Sequence, residues 1–328
     1  MKCINKWICL SLLIAVSCVS GCGKTSAAIE QPYDVYATAA DFGLSSNDTV
    51  EAKSYFASDL CVSEDVAIGT DSTDSQVAEG AGTFNLETNT VVYAKNLYER
   101  LYPASTTKIL TAYIALKYCD DLDAMVTVSE NAVNQASDSS VCNLKAGDVI
   151  RLRDLLYGLM LRSGNDAAVA IAEYISGDVD SFAALMNQEA AAMGATRSHF
   201  VNPNGLPDEN HYTCVYDMYL IFSNAVKNDT FVSIIGTTSY DVTYTDASGE
   251  AVTHTWENTN QYLTGNATTP DGFQIVGGKT GTTGEAGYCL VLYSYNPSGQ
   301  PIISIVFKAD GKSNLYLLMN EMLQGFAI

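Results

Sequence analysis

Pro103-Ala104-Ser105-Thr106-Thr107-Lys108-Ile109-Leu110-Thr111-Ala112-Tyr113-Ile114 is the stretch on which the reading of this chain turns. Behind the proline-led entry, Ile109, Leu110, Tyr113, Ile114 and Leu116 recur at helical spacing, which predicts a helix with Ser105 at or near its first turn. Ser105 and Lys108 stand three positions apart and so share one helix face. A serine hydroxyl is a poor nucleophile, and a neutral amine one turn away can take its proton. The amine is neutral only if burial or a neighbouring cation lowers its pKa. The first turn of a helix also offers unpaired backbone N–H groups and the positive end of the dipole, which suit a developing oxyanion. A capping serine followed by a surface lysine is spelled the same way, so this motif alone does not decide function.

Two further short motifs follow in order. Ser163-Gly164-Asn165 separates a stripe of Leu152, Leu155, Leu156, Leu159 and Met160 from the Ala-rich run Ala167 to Ile175. A polar break between helices serves as a cap, but it also aims Ser163 to relay a proton and the Asn165 amide to hold a substrate carbonyl. Lys279-Thr280-Gly281-Thr282 lies between Ile275-Val276-Gly277-Gly278 and Tyr288-Cys289-Leu290-Val291, a context that predicts a strand lining a groove. A lysine with hydroxyls there suits a substrate carboxylate. Gly281 lets a ligand backbone approach closely. The Thr282 N–H is the candidate second oxyanion donor, and Lys279 the candidate cation that depresses Lys108.

Outward from these motifs, Gly82 to Leu86 and Thr90 to Ala94 read as a hairpin around Glu87-Thr88-Asn89. Residues 120 to about 235 read mostly helical. Strands return at Tyr240 to Tyr244, Ala251 to Thr255, Tyr288 to Tyr295 and Pro301 to Lys308, and the chain closes on a helix from Leu315 to Leu323. That order predicts an α+β fold, a β-sheet flanked by terminal helices with an inserted helical subdomain.

The amino terminus has its own chemistry. Lys2 and Lys6 precede an apolar run from Ile8 to Val19, of signal-peptide rather than membrane-spanning length. The run ends at Val19-Ser20-Gly21-Cys22, which resembles the lipobox of bacterial lipoproteins. The expectation is a lipoprotein signal peptide over residues 1–21, lipidation at Cys22, and a Ser/Thr/Asp-rich tether over 22–79. The folded domain is then 80–328. It would be exported and lipid-anchored on the outer face of the bacterial cytoplasmic membrane. Acylation of the Cys22 amine adds a further chain, as stable anchoring requires. The 328-residue chain carries a net charge of -20, which argues against nucleic acid as a partner. Of nine cysteines, Cys61, Cys119, Cys142, Cys214 and Cys289 remain after Cys22, with no pair at C-x-x-C spacing. His199, His211 and His254 lack a metal-ligand spacing, so neither metal nor cofactor is called for.

Taken with their flanks, the three motifs carry a family resemblance. Pro103 to Lys108, Leu161-Arg162-Ser163-Gly164-Asn165-Asp166-Ala167-Ala168 and Gly278-Lys279-Thr280-Gly281-Thr282-Thr283 resemble the serine-type D-alanyl-D-alanine carboxypeptidases, the low-molecular-mass penicillin-binding proteins. Phe200-Val201-Asn202-Pro203-Asn204-Gly205-Leu206 and His211-Tyr212-Thr213 with Asp217 extend the likeness, which runs from about Ala81 to Phe326.

The resemblance implies an antiparallel sheet of the serine β-lactamase and transpeptidase type. It implies Ser105, Lys108 and Ser163 as catalytic residues, with Asn165, Lys279, Thr280, Gly281 and Thr282 binding substrate. The expected partners are peptidoglycan stem peptides ending in D-Ala-D-Ala and β-lactam antibiotics. The rivals are a serine β-lactamase and a non-catalytic envelope protein that senses β-lactams or binds peptidoglycan. No Glu-x-x-Leu-Asn segment follows the second motif to supply a water-activating glutamate. Two departures stand out. Many relatives continue into a carboxy-terminal β domain. Some carry an arginine after the last strand, where this chain reads Phe307-Lys308-Ala309-Asp310-Gly311-Lys312 and offers only lysines, which lack the bidentate fork.

Overall fold

The structure, a computed structural model, describes residue 57 and residues 59–327. The segments expected to be signal peptide and lipidation site, with most of the expected tether, lie outside the described residues.

Five strands form the main antiparallel sheet. β1 (Ala78–Asn85) and β2 (Thr90–Lys95) make the expected hairpin. The remaining three are contiguous in sequence: β7 (Gln274–Thr283), β8 (Gly287–Tyr295) and β9 (Pro301–Ala309). The order across the sheet is β2-β1-β9-β8-β7, so the last strand laid beside the first closes the sheet and β7 is left at an edge. Both faces are covered, and the sequences of β8 and β9 say so. Cys289-Leu290-Val291-Leu292 and Ile302-Ile303-Ser304-Ile305-Val306-Phe307 are continuous buried runs rather than alternating ones.

Between the two parts of the sheet comes the helical insertion. A tight turn at Ala104–Thr107 leads into α1 (Lys108–Tyr118), which is buried over most of its length because its flanks are apolar all round. After it come β3 (Met125–Thr127), α2 (Glu130–Val133), β4 (Val149–Arg151) and α3 (Leu152–Tyr157). α4 (Asn165–Ser176), α5 (Val179–Ala192), α6 (Val215–Ala225) and α7 (Asp229–Ile235) follow. α6 packs on β1 and β9, with the Tyr219 ring stacked on Phe84 at 4.1 Å. The closing helix α8 (Lys312–Phe326) covers the opposite face, with Leu315, Leu318, Met319 and Met322 against Leu290, Leu292, Ile302 and Val306.

Two expectations need correction. Tyr240 to Tyr244 and Ala251 to Thr255 are strands, within β5 (Ser239–Thr245) and β6 (Ala251–Glu257), but they do not join the main sheet. They form a second sheet, β3-β4-β5-β6. Its other two strands are three residues each, too short to show a period of two, and they were hidden in the stretch read as helical.

The tether also ends earlier than residue 79. Cys61 is fully buried and its N–H donates to the Tyr219 hydroxyl at 2.9 Å. Ile68 and Ala94 exchange backbone hydrogen bonds of 2.8 and 3.0 Å. Lys95 Nζ donates to the carbonyls of Ser75 and Ala78. The segment's composition is polar, yet its backbone groups are satisfied by the domain, which composition alone does not reveal.

Candidate active site

The helix turn carrying Ser105 meets the edge strand β7. A Cβ added to Gly281 would sit 2.9 Å from Ser105 N and 3.1 Å from both the Ala104 Cβ and the Pro103 carbonyl oxygen. Only glycine allows that approach, and it brings the Lys279-to-Thr282 strand to the nucleophile. Ser105, Ser163, Thr280 and Thr282 line one side of the groove, and Ser105 and Thr282 also line the other. Thus Ser105, Lys108, Ser163, Asn165, Lys279, Thr280, Gly281 and Thr282, singled out from sequence, come together in one place.

Lys108 is fully buried. Its Nζ lies 3.0 Å from Ser105 Oγ, 2.8 Å from Asn165 Oδ1 and 2.6 Å from the Asn204 carbonyl oxygen. Burial, then the charge on Lys279, pushes its pKa well below the ordinary lysine value, against weaker pulls from Cys142 and Asp166. Lys279 is also buried and donates to Ser163 Oγ at 3.0 Å and to the Thr280 carbonyl at 2.8 Å. Burial alone brings its pKa down to about 7. Its charge therefore acts on Lys108 only up to about neutral pH, and desolvation is the more dependable cause of the low Lys108 pKa.

The break between helices is built with strain. A wide helical turn, Gly158–Arg162, follows α3, and Ser163 then takes a left-handed conformation with φ of 62°. Such a turn within a helix recurs at functional sites, and a non-glycine residue at this φ is held by its surroundings. Here it points Ser163 at Lys279 and starts α4 at Asn165, whose side chain reaches Lys108.

Sequence reasoning missed two contributors, Asn204 and Asp166, and left a third open between Lys308 and Lys312. Asn204 supplies a carbonyl to Lys108 because Gly205, at φ of 87°, lets its turn abut Ala104; a Cβ there would lie 1.8 Å from the Ala104 oxygen. The Asn202-Pro203-Asn204-Gly205 turn was the available signal. Asp166 is buried and accepts from the N–H groups of Cys142, Leu144 and Ala167, which ties the preceding loop to the Ser163 turn. Lys312, at the start of α8, lines the groove with Thr280 and Thr282, whereas Lys308 turns away into an ion pair with Glu79 at 2.7 Å.

His211 is structural. Its Nδ1 accepts from the Val201 N–H, so its Nε2 donates to Thr107 Oγ1 at 2.9 Å, and burial lowers its pKa to about 4. Cys61, Cys119, Cys142, Cys214 and Cys289 are unpaired.

The groove therefore defines an acyl-transfer enzyme of the serine–lysine type. Comparison with known proteins narrows the class: the chain belongs to the D-alanyl-D-alanine carboxypeptidase family, peptidase family S11, whose model matches residues 69–311. It is 34% identical over 251 residues to D-alanyl-D-alanine carboxypeptidase DacF of Bacillus subtilis, covering 75% of this chain and 61% of that one. It is 34% identical over 265 residues to the D-alanyl-D-alanine carboxypeptidase of Streptomyces sp. K15, covering 76% of this chain and 88% of that one. The crystal structure of the Streptomyces K15 DD-transpeptidase is similar with a TM-score of 0.71 at 33% identity, over 77% of this chain and 98% of that one. The D-alanyl-D-alanine carboxypeptidase DacD from Francisella tularensis is similar with a TM-score of 0.67 at 27% identity, over 89% and 75% of the two chains.

Gly281→Ala is expected to fold and to slow acylation of Ser105 by about 10²-fold, the loss that follows a displacement of about 1 Å at a reacting centre. Stopped-flow acylation by a chromogenic penicillin measures it. A rate within a factor of two of wild type would show that the close approach of β7 is dispensable.

Proposed function

We propose that this protein is a serine D-alanyl-D-alanine carboxypeptidase that removes the terminal D-alanine from peptidoglycan stem peptides. The observation that carries the proposal is the fully buried Lys108 amine, 3.0 Å from the Ser105 hydroxyl and depressed by desolvation. A neutral amine there accepts the hydroxyl proton as Ser105 Oγ attacks the carbonyl carbon between the two D-alanines. The N–H groups of Ser105 and Thr282 hold the oxyanion. Asn165 holds the amide of the acyl part.

Ser163, bonded to Lys279, passes the proton to the departing nitrogen, and the C–N bond breaks to leave an ester on Ser105. Water then hydrolyses the ester. The leaving carboxylate is met by Lys279, Thr280 and Thr282, with Lys312 as a point charge in place of a bidentate arginine. The strained amide and carboxylate of a β-lactam imitate the same bond, so β-lactams acylate Ser105 covalently.

The protein acts on the outer face of the cytoplasmic membrane, anchored through a lipidated Cys22. The support is the short apolar run ending at Val19-Ser20-Gly21-Cys22 and a substrate found outside that membrane.

Intact-mass analysis with penicillin tests the chemistry. Wild type gains one penicilloyl group, Ser105→Ala gains none, and Lys108→Ala acylates at least ~10²-fold more slowly. An adduct that persists in Ser105→Ala overturns the assignment of the nucleophile.

The pH profile follows from the two amines. Protonation of Lys108 switches off its role as base, so activity falls on the acid side. Loss of the Lys279 proton removes the carboxylate's partner, so kcat/KM falls above about pH 7. A bound carboxylate raises the Lys279 pKa, so the alkaline limb of kcat lies higher than that of kcat/KM. Coincident limbs would refute Lys279 as the carboxylate's partner.

Mass spectrometry of the mature amino terminus tests anchoring. The expected product begins at Cys22 and carries lipid; an unmodified Cys22, or cleavage elsewhere, sinks the lipoprotein proposal.

A further inference from the structure

The groove is divided by charge. On one side of Ser105 the lining includes Lys312 beside Thr280 and Thr282, with Lys279 buried behind them. On the other side the walls carry two carboxylates, Asp138 from the loop before Cys142 and Glu285 from the β7–β8 turn, and no lysine or arginine. Both carboxylates are exposed, and neither forms an ion pair with another described residue. The same side carries an apolar wall, Leu206 with Pro207, and Leu206 is among the few large apolar side chains left open to solvent. Asn165 also lines it: its Oδ1 accepts from Lys108, which leaves its amide N–H groups as the donors it can offer a ligand. An amide N–H on the wall of a groove is a fitting donor for a ligand carbonyl.

Ser105 and Thr282 line both sides, so a peptide cleaved at Ser105 must straddle them. Its carboxylate end occupies the lysine side. Its acyl part then runs through the acidic side, with a backbone carbonyl on Asn165. From this geometry we propose that the acidic side selects stem peptides whose residue before D-Ala-D-Ala bears an aliphatic side chain ending in a free amine. The methylenes of such a side chain lie along Leu206 and Pro207, and its ammonium meets Asp138 and Glu285, the arrangement in which long amphipathic side chains bury their stems and keep the charge wet. Acylating that amine, as in a cross-linked stem, removes the charge and adds bulk. The enzyme thereby favours stems that are not yet cross-linked through that amine. This rests on the carboxypeptidase activity proposed above.

The test compares D-alanine release from Nα-acetyl-L-Lys-D-Ala-D-Ala and from its Nα,Nε-diacetyl form, each ratio of kcat/KM being taken within one protein. Wild type is expected to favour the free amine by about fivefold at low ionic strength, the scale of two solvent-exposed ion pairs. The preference should shrink toward one in ~0.5 M salt. Asp138→Asn/Glu285→Gln should remove it, and Glu285→Lys should invert it, an outcome that a poorly folded variant cannot mimic. Equal use of the two peptides by wild type, or a preference that survives both salt and the double substitution, overturns the proposal and leaves the carboxypeptidase reading standing. Hydrolysis of neither peptide overturns both.

Discussion

Everything at this site depends on burying the amine of Lys108. An amine in water is protonated at neutral pH and cannot take a proton from serine; taken out of water it can. The fold achieves this by making α1 the central helix of the insertion, apolar on every side, so that a residue in its first turn is as deep as the core. The amine is not left bare. Asn165 Oδ1 and the Asn204 carbonyl accept from it, and both are neutral acceptors, so they fix its position without restoring the charge as a carboxylate would. The one carboxylate that pulls its pKa upward, Asp166, spends its oxygens on three backbone N–H groups.

That requirement explains the glycines and the strained residues around it. In the proposed reaction Ser105 must lie close enough to a strand edge to share an oxyanion with it, and Gly281 permits that approach. The Asn204 carbonyl must reach past Ala104, which Gly205 permits. Ala104 and Ser163 adopt positive φ in the turns that aim Ser105 into the groove and Ser163 at Lys279. Strain of this kind persists where packing over-determines the backbone, and here the buried α1 and α4 supply that packing.

What could be read from the chain follows from how local each signal is. Ser105 and Lys108 are one helical turn apart, and the spacing alone places them together. The hairpin from Ala78 to Lys95 and the closing helix announce themselves by period and turn residues. The convergence of Lys279 on Ser163, 116 positions away, left no trace in periodicity and was legible only through family resemblance. The second sheet escaped notice because two of its strands are three residues long. Docking of residues 61–79 escaped because its partners, Tyr219 and Ala94, are distant in sequence and its own composition is that of a linker. Whether Lys308 or Lys312 serves the groove was undecidable from Lys-Ala-Asp-Gly-Lys; the ion pair of Lys308 with Glu79 settles which one is occupied elsewhere.

The same burial sets a stability cost with a definite sign. Lys108 and Lys279 have folded-state pKa values below their unfolded ones. Between the two values the unfolded chain holds protons that the native protein has released, so stability rises with pH across that window and is lowest on its acid side. For Lys279 the window runs from about 7 up to the ordinary lysine value near 10.5. At neutral pH the protein thus bears a penalty from both amines, which the remainder of the core must offset. The penalty is inseparable from the proposed chemistry, because the desolvation that destabilises the charged amine of Lys108 is what fits that amine to act as the base.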